Sequence, residues 1–97
     1  MTRFDRAAEV VLRAVAEDTD ITEAEMLATT SRRDIVDARQ MATYILLSKG
    51  FTTERVAERM HISRRYAQYI AATFPQKAKY DRFLRKSFDR VCKSLGA

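Results

Sequence analysis

The chain has 97 residues, 46% hydrophobic and 32% charged, which suits one globular domain and excludes a disordered or collagen-like chain. No apolar run approaches the ~20 residues that span a bilayer, and the single cysteine, Cys92, forms neither an internal disulfide nor a Cys-rich metal site. Net charge is +5 but uneven: residues 1–28 carry three basic side chains (Arg3, Arg6, Arg13) against seven acids, and residues 29–97 carry the other fifteen basic side chains against six acids, a balance that suits either a polyanion partner or a solvated basic surface.

Only two glycines and one proline occur, which favours helices joined by short loops. Ala7, Val10, Val11, Ala14 and Val15 recur at helical spacing and predict an amphipathic first helix, broken by Glu17, Asp18, Thr19 and Asp20. A short second helix is expected from Thr22 to Leu27, with Thr22 as N-cap and Glu25 closing a capping box. Thr29, Thr30, Ser31, Arg32 and Arg33 form a polar, basic loop. The third helix has the clearest stripe, Ala38, Met41, Ala42, Ile45 and Leu46, and ends at Lys49-Gly50. Thr52 caps a fourth helix with Glu54 in its first turn and Val56, Ala57 and Met60 facing inward. His61-Ile62 makes a tight turn. Ser63 caps a fifth helix that is expected to run to Phe74 and stop before Pro75. A last helix places Tyr80, Phe83, Leu84, Phe88, Val91 and Leu95 on one face. The expectation is an all-α fold of about six helices in one domain spanning residues 1–97, with a central helix-turn-helix at about 52–74.

The segment Thr52–Phe74 has the layout of a DNA-reading helix-turn-helix, a pattern that ordinary helical hairpins share. Ala57 is small where two helices approach, and Ile62 plugs the turn. The exposed start of the second helix is Ser63, Arg64, Arg65, Tyr66, and a helix of this kind enters the major groove N-terminus first. Arg64 and Arg65 can donate to guanine edges or phosphates, Gln68 can read adenine, and Tyr69 can touch phosphate or a thymine methyl.

The stretch Ser31-Arg32-Arg33-Asp34-Ile35-Val36-Asp37-Ala38-Arg39-Gln40-Met41-Ala42-Thr43-Tyr44 resembles the C-terminal DNA-binding domain of the bacterial chromosomal replication initiator, DnaA. In that family a basic loop leads into a long helix with an Arg-Gln pair, here Arg39-Gln40. The spacing from that pair to Val56-Ala57, at the family's Ile-Gly position, also matches. The resemblance runs from about Ile21 to Leu95 and implies a six-helix fold of the TrpR/DnaA-domain type. It implies further that Arg32, Arg33 and Arg39 reach the DNA backbone and minor groove, with Thr52 and Thr53 near phosphates. The family's recognition helix opens with an Asp-His-Thr-Thr-Val type signature that reads the replication-origin box. Ser63-Arg64-Arg65-Tyr66-Ala67 stands there instead, so the resemblance implies DNA binding without that target. No Walker-type phosphate loop is present, so no nucleotide is expected.

His61, the only histidine, lacks partners at metal-ligand spacing and reads as a turn residue. Cys92 reads as a packing residue. Asp34 and Asp37 favour the dipole at a helix start and can orient Arg33 or Arg39. Among the aromatic residues, Tyr66 and Tyr69 read as exposed and Phe83 as core. Lys77, Lys79, Arg82, Arg85, Lys86, Arg90 and Lys93 read mainly as a solvated face. No acid–base pair, nucleophile with base or metal cluster supports an enzyme, and no cofactor is expected. The leading expectation is a cytoplasmic, nucleoid-associated protein that binds double-stranded DNA in replication or transcription control. The alternative keeps the same fold as a protein-interaction module for a replication or transcription protein. Convergence of Arg32, Arg39, Arg64 and Arg65 on one surface would favour the first, and their scatter, or capture by Asp34, Asp37 and Glu58, the second.

Overall fold

Local capping signals set most of the helix starts. The computed structural model describes residues 2–96 and contains six helices: α1 (Arg3–Thr19), α2 (Glu23–Leu27), α3 (Arg33–Ser48), α4 (Thr53–Met60), α5 (Arg64–Tyr80) and α6 (Arg82–Ser94). No strand occurs among the described residues. Thr22 and Glu25 form the expected capping box, Thr52 accepts from the Arg55 amide, and Ser63 accepts from the Tyr66 amide. Thr2 and Asp5 form a further capping box at α1. Gly50 adopts φ +94° after α3, a left-handed conformation that glycine takes without Cβ strain.

α3 is the central strut and packs against α1, α2, α4 and α5, while α6 lies across α1 and α5. Its stripe of Ala38, Met41, Ala42, Ile45 and Leu46 is buried throughout. Tyr44, Phe74 and Phe88 form an aromatic cluster with ring centroids 5.1–5.9 Å apart, joining α3, α5 and α6. Phe4 meets Phe51 edge-on at 5.1 Å, tying the start of α1 to the turn before α4.

Three expectations from the sequence are corrected. Val10 is 57% exposed, because α1 turns Phe4, Ala8, Val11, Leu12 and Val15 inward and Val10 lies ~145° round from their centre at ~100° per residue. α5 does not stop at Phe74 but continues through Pro75 to Tyr80. Proline removes one helical hydrogen bond, a loss of ~3 kcal/mol in a helix interior. Ala71, whose carbonyl loses that bond, and Pro75 itself are exposed. Phe74 and Ala78 are buried on either side, and their packing carries the helix across. Finally, Tyr80 and Phe83 are exposed rather than core. Tyr80 belongs to the last turn of α5, and α6 buries the Leu84, Val91 phase, one step round from Phe83.

The chain is closed by an α1–α6 contact. Arg90 donates to both oxygens of Asp18, and Ser87 also donates to that carboxylate. Arg90 first, and then Ser87, hold the Asp18 carboxyl below its ordinary range. A depressed folded pKa stabilises above the unfolded value of ~3.9, and that contribution is lost as pH falls through the folded value. Denaturant midpoints measured from pH 7 to pH 2 should therefore fall below about pH 4, and fall less steeply in Asp18→Asn. An identical pH slope in wild type and variant would remove Asp18 from the acid response.

Candidate nucleic-acid interface

α4 and α5 are joined by a turn in which His61 takes a left-handed conformation (φ 58°) and Ile62, half-buried, packs on the core. Ala67, Ile70 and Phe74 anchor α5 inward. The opposite face of its first two turns presents Arg64, Arg65, Gln68 and Tyr69 to solvent. The 17-residue helix holds four basic side chains, Arg64, Arg65, Lys77 and Lys79, and no acid.

The named side chains differ in freedom. Arg64 Nη1 lies 3.1 Å from Glu54 at the start of α4. Arg65 pairs with no acid among the described residues. Tyr69 is 56% exposed and stacks on Tyr66, centroids 6.2 Å apart. Thr52 and Ser63 spend their hydroxyls on caps, and Thr53 opens α4 half-buried. Arg32 grips Asp34 with two hydrogen bonds of 2.9 Å, holding that carboxyl down at about 2. Arg33 is 84% exposed by side chain and 3.8 Å from Asp81.

Arg39 is the main correction to the expected site. It is 8% exposed, with Nε donating to the Met26 carbonyl (2.7 Å) and Nη2 to the Ala28 carbonyl (2.6 Å). Those carbonyls end the five-residue α2, and a helix end leaves its last carbonyls without intrahelical donors. The guanidinium satisfies them from α3 and is turned away from any surface a duplex can touch.

Its neighbour Gln40 organises the site instead. Gln40 Nε2 donates to the Tyr66 hydroxyl (2.9 Å), and Lys77 Nζ donates to Gln40 Oε1 (2.7 Å). Lys77 also lies 2.7 Å from Asp37, close enough for an ion pair although off the line of a hydrogen bond. Arg33, Asp37 and Gln40 are spaced i, i+4, i+7 and so share one face of α3. A polar seam thus runs from Tyr66 through Gln40, Lys77 and Asp37 towards Arg33 and Asp81. Its ends are separated by most of α5, ~24 Å at 1.5 Å per residue. Asp34 and Asp37 hold Arg32 and Lys77, whereas the sequence reading tied them to Arg33 or Arg39. Partners 37 residues apart, Gln40 and Lys77, leave no local sequence signal.

Neither His61 nor Cys92 is placed for metal or thiolate chemistry among the described residues. His61 is exposed, and burial pushes the Cys92 thiol up, away from thiolate chemistry. Among the described residues no three His, Cys, Asp or Glu side chains cluster to hold a metal ion, and no helix is long and apolar enough to cross a membrane. No protein-family model matches the chain, and no curated protein matches it in sequence.

Proposed function

We propose that the chain binds double-stranded DNA, with α4, the turn and α5 acting as a helix-turn-helix whose α5 enters the major groove N-terminus first. The observation that carries this reading is the exposed, acid-free start of α5: Arg64, Arg65, Gln68 and Tyr69 on one face of a helix anchored by its other face. Arg32 and Arg33 supply a second basic point near the far end of α5. A separation of ~24 Å is within one ~34 Å helical turn of a duplex, so one duplex can span both. The resemblance to the DnaA DNA-binding domain agrees with this arrangement at Arg32, Arg33 and the helix-turn-helix, though not at the buried Arg39, and suggests a role in replication or transcription control. The replaced recognition signature, Ser63-Arg64-Arg65-Tyr66-Ala67, gives the chain its own target.

A protein-interaction module is the second reading, favoured by the acids already paired with Arg32 and Arg64. Exposed pairs of this kind contribute little to stability, and a phosphate is a comparable partner for a guanidinium. They therefore exchange readily on binding. Salt titration separates the readings. Duplex affinity should fall with a log–log slope of about −4, the release expected for four to five phosphate contacts. A constant that barely changes between low and moderate salt, or no duplex binding, would favour the interaction module.

Tyr66 supplies a finer test. Its oxygen accepts from Gln40, whose other amide atom is taken by Lys77, so the phenolic proton remains to donate outward, to a phosphate oxygen in this reading. Tyr66→Phe should weaken selected and scrambled duplexes alike, by about fivefold for one hydrogen bond of ~1 kcal/mol. Unchanged affinity for both duplexes would make the hydroxyl purely structural.

A further inference from the structure

Tyr80 and Phe83 are 75% and 86% exposed, on either side of the α5–α6 joint. They line one open groove together with Arg33, Asp81 and Arg82. Single exposed apolar side chains are ordinary, whereas adjoining ones beside a groove mark contact sites. Under Phe83 a pocket of about 170 Å³ continues between α3 and α6 over Ile21, Ala38, Met41 and Leu84. A cavity of ~150 Å³ accommodates a benzene ring, so this one has room for a single large apolar side chain.

The charges around it are one-sided in what they leave free. Asp34 is held by Arg32 and Asp37 by Lys77, while Asp81 caps α6 and faces Arg33. Lys79, Arg82 and Lys86 stand four residues before, one before and three after Phe83, all exposed, and among the described residues none pairs with an acid. Lys79 Nζ lies 5.7 Å over the Tyr80 ring. An apolar seat with the unpaired cation Arg82 in its lining, and Lys79 and Lys86 on the flanking helix turns, complements an acidic segment carrying one large apolar residue. Single-stranded nucleic acid fits less well: the pocket's floor is aliphatic rather than a stacking platform.

We propose that Tyr80, Phe83 and the adjoining groove dock an acidic amphipathic segment of a partner protein. Its apolar anchor sits under Phe83, and its carboxylates meet Lys79, Arg82 and Lys86. The surface lies at the opposite end of α5 from Arg64 and Arg65 and leaves the start of α5 open, while Arg33 at its edge is shared with the second basic point of the proposed DNA contact.

Selection of a random 16-residue peptide library displayed on phage, against the full chain and in parallel against Phe83→Ser, tests the proposal. The wild type should enrich net-acidic peptides with a Leu, Phe or Trp anchor. Synthesised peptides should bind at least tenfold more weakly to Phe83→Ser and to the Arg82→Glu/Lys86→Glu double variant, and equally well to Arg65→Ala. The exposed substitutions should melt within a few degrees of wild type, and the charge reversal keeps the aromatic residues should Phe83→Ser fail to fold. The proposal is overturned by no enrichment, by basic or uncharged peptides, or by peptides indifferent to these variants. It is also overturned if sedimentation shows a dimer that Phe83→Ser dissolves, since a second copy would then occupy the groove. Saturation of the site by a thymidine oligonucleotide would overturn it too.

Discussion

Arg39→Ala should be the most destabilising single substitution in the loop–α3 region, lowering stability by about 3 kcal/mol or more. The guanidinium makes two short, charge-assisted bonds to the Met26 and Ala28 carbonyls from a site that is 8% exposed. Each such bond contributes ~1.5–3 kcal/mol, and its loss leaves a carbonyl without its donor. For a domain near this size the melting temperature should drop by about 15 °C. Arg39→Met keeps the apolar stem and should be nearly as damaging if the bonds dominate. Arg39→Lys should recover only part of the loss, because one ammonium lacks the planar fork that serves both carbonyls. The stability change should account for any loss of duplex affinity by Arg39→Ala, so that binding recovers at temperatures where the variant is folded. Thermal melts and duplex titrations at two temperatures would show this. A variant that melts like wild type yet binds DNA poorly would return Arg39 to the interface.

Arg65→Ala should act in the opposite way, leaving the melting temperature unchanged and removing sequence preference. Arg65 is exposed on the first turn of α5 and has no acid partner among the described residues, so its deletion costs the fold nothing visible. If it makes a bidentate contact to a base, that contact discriminates by ~1–3 kcal/mol, or about 5–150-fold against the wrong base. Affinity for a site selected from a random duplex library should fall by about tenfold or more, while affinity for a scrambled duplex should change by only a few fold. The preference at one or two positions should flatten. Lys93→Ala, on exposed α6, should alter neither. Equal losses on both duplexes would make Arg65 a phosphate contact rather than a reader.

Local signals were legible in the sequence wherever the chemistry is local. Thr22 with Glu25, Thr52, and Ser63 satisfy amide donors three residues away, and their helices begin where those caps require. The α3 stripe was legible because it repeats over three turns. The outward set Arg64, Arg65, Gln68 and Tyr69 was legible because inward Ala67 and Ile70 fix the phase of α5. What failed depends on tertiary geometry. Nothing near Arg39 in sequence reveals that α2 ends beneath it, eleven to thirteen residues earlier. Pro75 reads as a stop unless the packing of Phe74 and Ala78 is known. Phe83 sits beside Leu84 on an amphipathic helix whose phase is set only by where α6 lands on its neighbours. Lys77 looked like one cation among seven until Gln40 and Asp37 were seen to hold it.

The division of labour within α5 also bears on how this protein can be rewritten. Ala67, Ile70, Phe74 and Ala78 bind the helix into the molecule, and Arg64, Arg65, Gln68 and Tyr69 contribute almost nothing to that task. Outward residues can therefore drift, or be randomised in a library, at little risk to folding. The helix itself is not portable. Its support comes from α3 and α6, and α6 is fastened to α1 through Asp18 and Arg90, seventy-two residues apart in sequence. A fragment excised as α3–α5 would lose the elements that cover its apolar back, so this surface has to be altered by substitution on the whole chain and not by grafting a fragment.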